Sequence, residues 1–69
     1  VKVKETSDFI GKTLGQLQVS KEIGCYIRAI RRNMRWDFHP GKNTKLLEGD
    51  ILIAIGSASS IDSLKERCE

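Results

Sequence analysis

The sequence predicts a small α+β domain: a mainly antiparallel sheet carrying two short helices, two layers deep, in the order β-α-β-β-β-α. Three observations carry that expectation. VKVKET alternates apolar and charged residues with period two, as a half-buried strand does. CYIRAIRR and DILIAI are rich in β-branched residues and are bounded by glycine and asparagine. SASSIDSLKERCE closes the chain with apolar residues Ile61, Leu64 and Cys68 at helical spacing.

In chain order, Val1–Thr6 is the first expected strand. Ser7 and Asp8 are N-cap types ahead of a short helical stretch in which Ile10, Leu14 and Leu17 recur at spacings of four and three. Gly11 and Gly15 keep that stretch short, because glycine weakens a helix interior by about 1 kcal/mol. Ser20 is expected to cap one further turn, SKEI, which Gly24 ends in a left-handed conformation. Cys25–Arg32 is the second strand, Asn33 its tight turn and Met34–Phe38 the returning partner. His39-Pro40-Gly41 breaks regular structure, and Glu48-Gly49-Asp50 turns the chain again. The run Ile51 to Ile55 is almost unbroken in its apolarity, which predicts a central strand covered on both faces. Ser59 or Ser60 begins the last helix, with Asp62 near its positive end and Lys65 and Arg67 near its negative end.

The 69 residues suffice for one domain, residues 1–69, and a chain of this size buries only about 60% of its unfolded surface. The chain opens Val1-Lys2-Val3 without an initiator methionine, so it is expected to be a segment of a larger protein. No apolar run approaches the roughly 18 residues of a membrane span. Cys25 and Cys68 fit no metal spacing, and with a single histidine a zinc site is unsupported. Two free thiols fit a reducing cytoplasm, with one disulfide between them as the alternative. Net charge is +3, unevenly spread: residues 1–35 hold eight Lys or Arg against three acids, and residues 36–69 hold four against six.

Several chemistries can be weighed on spacing. Gly11-Lys12-Thr13 ends like a phosphate-binding loop, but that loop requires GxxxxGK[ST], and the position five before Gly11 is Thr6. The intervening TSDFI is bulky, and Asp8 would repel phosphate. The tripeptide therefore reads as a helix start. Cys25, Asp37 and His39 supply the elements of a nucleophile and base, yet Cys25 opens a strand and His39 sits before a proline in a turn. No catalytic residue is assigned. Asp8, Glu48 and Asp50 lack calcium-loop spacing, so no metal ligand is assigned either. Arg28 to Phe38 interleaves arginine with Trp36 and Phe38, with Tyr26 just ahead on the same strand, as nucleic-acid surfaces do. The competing reading is a hairpin with a charged tip and Trp36 or Phe38 in the core. By simple alternation Tyr26, Arg28 and Arg32 share one strand face and Arg31 takes the other.

SDFIGKTLGQLQVSKEIGCYIRAIRRN, a hairpin, and TKLLEGDILIAIGS together resemble the TrkA C-terminal domain, the C-terminal lobe of regulators of potassium conductance. Gly11, Leu14, Leu17, Gly24, Ala29, Ile30, Arg32, Gly49, Asp50 and Gly56 stand in register with the family pattern, which spans nearly the whole chain. The resemblance implies a non-catalytic regulatory module, without a cofactor, that pairs as a homodimer and governs a potassium or other ion transport system. Its expected partners are a membrane transporter or channel, or other domains of its own parent chain, at the inner face of the membrane. It further implies a small-molecule effector, cyclic di-AMP in some members, held between paired lobes by Ser20, Lys21, Gly24, Cys25, Tyr26 and Arg28. Ser20 stands where ligand-binding members commonly have arginine, and Tyr26 where a small polar residue is frequent. A lost guanidinium removes a fork-shaped phosphate partner, which leaves Lys21 and Arg28 as the cations. The alternatives are a nucleic-acid-binding module built on Arg28–Phe38 and a purely structural dimerisation lobe.

Overall fold

The computed structural model describes all residues from Val1 to Glu69. Three strands form one antiparallel sheet: β1 (Tyr26–Arg32), β2 (Arg35–Asp37) and β3 (Ile51–Ile55), in the spatial order β2-β1-β3. Asn33, at φ 58°, makes the left-handed turn of the β1–β2 hairpin, as expected of its residue type. The first expected strand is shorter than its alternation suggests. Val1 exchanges backbone hydrogen bonds with Leu52, and Val3 pairs with Asp50 and Gly49, so residues 1–3 flank β3 through a single bridge, Lys2 with Ile51. The pairing stops at Lys4, whose amide donates instead to the carbonyl of Cys68 (2.8 Å).

The helical region after it is two single turns, α1 (Leu14–Leu17) and α2 (Val19–Glu22), with Gln18 left-handed between them. Their caps are not those expected. Thr13, not Ser7 or Asp8, caps α1: its hydroxyl accepts from the Gln16 amide (3.2 Å), and Gln16 Oε1 accepts from the Thr13 amide (2.9 Å). Ser7 instead donates its hydroxyl to the Arg67 carbonyl (2.8 Å), a partner sixty residues away that no local pattern reveals. Gln18, not Ser20, precedes α2 and makes no side-chain cap. At the other end Ser57, not Ser59 or Ser60, caps α3 (Ala58–Arg67) by accepting from the Ser60 amide. Because α1 is so short, the Thr13 cap is a large share of what holds it. Thr13→Ala is expected to cost about 1 kcal/mol, read as a lower urea midpoint with an unchanged slope.

Gly11-Lys12-Thr13 is settled by its backbone. The Gly11 amide donates to the Leu46 carbonyl (2.8 Å), the Leu46 amide donates to the Lys12 carbonyl (2.9 Å), and the Lys12 amide donates to Phe9 (3.1 Å). Amides spent in this way cannot cradle a phosphate. The tripeptide stitches the first helical turn to the segment ahead of β3.

One core lies between the sheet and its cover, built from Val3, Phe9, Val19, Cys25, Ile30, Leu46, Leu52, Leu64 and Cys68. On β3 only alternate residues enter it. Leu52 is buried against Ile30, whereas Ile53 and Ile55 are exposed on the opposite face. The apolar run is thus not a strand covered on both sides. Its outer face is open. Trp36 and Phe38 are exposed as well and fill no core position.

Candidate functional site

The segment Ser20–Arg28 runs from α2 through a tight turn into β1. Gly24 adopts φ 92°, the left-handed conformation expected of it, which turns the chain so that Cys25 points into the core and Tyr26 out of it. Cys25 is held there by Gly56, where an added Cβ would stand 2.7 Å from the Cβ of Cys25, too close for any other residue without a shift. Burial raises the thiol pKa of Cys25, and burial pushes that of Cys68 up to about 11. Both sulfurs are free and buried, so at neutral pH they are protonated thiols of the core and not nucleophiles. No three His, Cys, Asp or Glu side chains come together in a metal-binding arrangement.

A surface depression of about 320 Å³ lies between the helical turns and the start of β1, lined among others by Ser20, Lys21, Cys25 and Tyr26. Four of the six expected ligand residues therefore share one hollow. Gly24 supplies its turn without lining it. Arg28 lies apart. A bulge between Ile27 and Ala29 leaves it unpaired with β3, and it borders a separate hollow with Phe38, His39 and Pro40. The bulge also breaks the expected alternation. Tyr26 pairs with Ile55 and Arg31 with Ile51, on the same outer face as Ile53, while Arg32 falls on the core side with Ile30.

Arg32 is consequently not a free cation. Its Nε donates to Asp50 Oδ1 (2.8 Å), and its Nη2 to Asp50 Oδ2 (2.8 Å) and to the Lys45 carbonyl (2.8 Å). Asp50 is wholly buried and also accepts from the Leu47 amide (2.9 Å). Burial pushes the Asp50 carboxyl up, but the Arg32 hydrogen bonds, the Leu47 amide and the Arg32 charge together hold it below the usual carboxylate range. The sequence places Asp50 in a Glu-Gly-Asp turn, among carboxylates without calcium-loop spacing, and in register with the family pattern. Its partner, eighteen positions upstream, was invisible. The hairpin offers aromatic surface instead: Trp36 and Phe38 stack with centroids 5.6 Å apart and planes 7° from parallel, and the Arg31 guanidinium lies 5.8 Å from the Trp36 ring.

The model of the TrkA-C domain matches residues 1–69, the full length of the chain. The chain belongs to the TrkA-C domain family. No match is found among curated proteins. Among solved structures, the RCK_C domain dimer of S. agalactiae BusR in complex with c-di-AMP superposes with a TM-score of 0.92 at 26% identity, over 99% of this chain and 90% of that one. The RCK C domain of the potassium transport protein KtrA, in complex with c-di-AMP, gives 0.84 at 30% identity, over 96% of this chain and 78% of that one. The GsuK channel bound to NAD gives 0.72 at 29% identity, over 87% of this chain but only 11% of the channel. BusR has also been solved on its busAB-promotor DNA, where this chain spans 33% of the protein's length. The TrkA-C chain is thus a regulatory domain of the type found in potassium transport systems, and its family is not a catalytic one. None of its helices is long and apolar enough to cross a membrane.

Proposed function

We propose that this TrkA-C chain is a single effector-sensing lobe, residues 1–69 of a longer cytoplasmic protein. It pairs with a second copy, binds cyclic di-AMP at the junction and passes the binding energy to an attached transporter, channel or other domain. The observation that carries the reading is the hollow beside α2, where Ser20, Lys21 and Tyr26 stand around the buried Cys25. Two relatives of this fold are held in complexes with that dinucleotide. Lys21 offers an exposed ammonium for a phosphate and Tyr26 an exposed ring for a base. Arg28, turned away by the bulge, reaches the hollow only if it swings past Ile27 or arrives from the paired copy. The regulatory currency is differential affinity: an effector shifts the attached machinery by at most its preference between two arrangements, typically about 1–3 kcal/mol.

The test is thermal unfolding at fixed protein concentration. Cyclic di-AMP at 100 times its dissociation constant is expected to stabilise by about 2.7 kcal/mol, a rise of roughly 10–20 °C for a domain of this size. Lys21→Ala is expected to weaken binding roughly 10-fold or more, the worth of a charged hydrogen bond. No shift at saturating nucleotide would leave a dimerisation lobe without an effector.

The nucleic-acid reading keeps one supporting observation, the Arg31–Trp36–Phe38 stack on the hairpin. Its most inward arginine, Arg32, is consumed by Asp50. Binding to DNA that falls steeply with salt, independent of pairing, is the signature that would favour it.

A further inference from the structure

A second hollow, of about 590 Å³, lies beside the β1–β2 hairpin and falls within the size range of small-molecule sites. The register sets Asp37 opposite Ile30 and Arg35 opposite Arg32. Directly opposed residues share a sheet face. Arg35 and Asp37 therefore stand on the core side with Ile30, away from the open outer face that a paired lobe would cover. Ile30 is buried, and Met34, at the turn, is 86% exposed, a side chain able to fold over an occupant. Thr44 borders the hollow from the segment ahead of β3.

The charges single this hollow out. Arg32 is already matched by Asp50, which leaves Arg35 and Asp37. They are two residues apart on one strand face, roughly 7 Å along the chain. Neither forms an ion pair, with the other or with any further group. Asp37 Oδ1 accepts from the His39 amide (3.1 Å), and Oδ2 has no partner. Thr44 Oγ1 accepts from the Gly41 amide (3.1 Å), so its own hydrogen is free to be donated. An anion placed here meets Asp37, and a cation meets Arg35. A molecule that carries both charges close together on an apolar body answers each group at once.

We propose that this hollow takes a free α-amino acid with a large apolar side chain. Arg35 holds the carboxylate through its paired donors, and the Thr44 hydroxyl adds a hydrogen bond to it. Asp37 receives the ammonium, and the side chain lies over Ile30 under Met34. Tyr26 begins β1 and Arg32 ends it, so this hollow and the one beside α2 sit at opposite ends of one strand, and neither needs the other.

Amide chemical-shift mapping of the 69-residue chain, titrated with L-phenylalanine, tests the site. Saturable shifts are expected at Arg35, Trp36, Asp37 and Thr44. Phenethylamine lacks the carboxylate and 3-phenylpropionate lacks the ammonium. Each is expected to bind roughly 10-fold or more weakly than the amino acid, the worth of a charged hydrogen bond. Arg35→Ala is expected to erase the advantage of L-phenylalanine over phenethylamine. Asp37→Asn keeps an acceptor for the His39 amide while removing the charge, and is expected to erase the advantage over 3-phenylpropionate. Equal affinity of the wild type for 3-phenylpropionate and L-phenylalanine would reduce the hollow to an anion site and overturn the proposal. So would shifts that lie away from the hairpin or persist unchanged in both variants. The absence of any shift with L-phenylalanine, L-leucine or L-methionine at millimolar concentration would overturn it outright.

Discussion

Replacing Asp50 with alanine is expected to destabilise the domain by about 3 kcal/mol, most of what a core of this size supplies. The substitution removes both carboxylate oxygens from the Arg32 fork and strips the Leu47 amide of its acceptor. Arg32 itself suffers less: its side chain is 42% exposed and its Nη2 keeps the Lys45 carbonyl. The reverse substitution distinguishes the two partners. Arg32→Ala leaves a buried carboxylate with one amide donor, and burial alone raises its pKa. The pH dependences must then oppose one another. In the wild type the folded pKa of Asp50 is lowered, so the pair's contribution is complete above the unfolded carboxylate value, about 4, and is lost as pH falls below it. In Arg32→Ala the folded value lies above the unfolded one, so that variant loses stability as pH rises through about 4 and upward. Urea unfolding of both chains between about pH 3 and 7 reads the two slopes directly. Parallel slopes would mean that Asp50 is not held by Arg32.

Adjacent residues of β3 should fail in different ways. Leu52→Ala hollows the core beside Ile30 and is expected to cost about 3 kcal/mol, a fall of roughly 12–24 °C in Tm at any protein concentration. Ile53→Ala, one residue on and on the open face, is expected to cost under about 1 kcal/mol in dilute solution. At concentrations where the wild type is paired, its deficit is expected to grow, because dimerisation adds to apparent stability by mass action. Unfolding monitored at two protein concentrations separates the cases. A concentration-independent loss of 3 kcal/mol at Ile53 would place it in the core and close the outer face.

Much of this fold was legible because local chemistry decides it. The left-handed turns at Gly24 and Asn33, the hairpin between β1 and β2 and the helix bearing Leu64 and capped by Cys68 follow from residue type and spacing. What failed depended on distant contacts. Ser7 has the chemistry of an N-cap, yet its hydroxyl is claimed by Arg67, so Thr13 takes the cap. Alternation put Arg28 and Arg32 on one face, and a bulge, which leaves no mark in the sequence, moved them apart. The unbroken run Ile51–Ile55 predicts burial on both sides, because apolarity alone does not separate a face covered within the chain from one left open. Of the candidate site, the segment came from family resemblance. Its division into a hollow with Lys21 and Tyr26 and a separate position for Arg28 depends on the register shift against β3, a contact between distant segments.

The clasp of residues 1–3 on β3 has a mechanical consequence. Val1 and Val3 meet Leu52, Asp50 and Gly49 through four backbone bonds lying across the strand direction, while Lys4 is pinned to Cys68. A pull applied at Val1 along the strand and resisted through β3 therefore loads those bonds in shear, all at once, as a lap joint does. A joint loaded this way moves as a unit before it parts. Tension arriving at Val1 is handed to β3 whole, and Ile53 and Ile55 ride on that strand. A displacement of β3 would therefore reach Val1 with little slack.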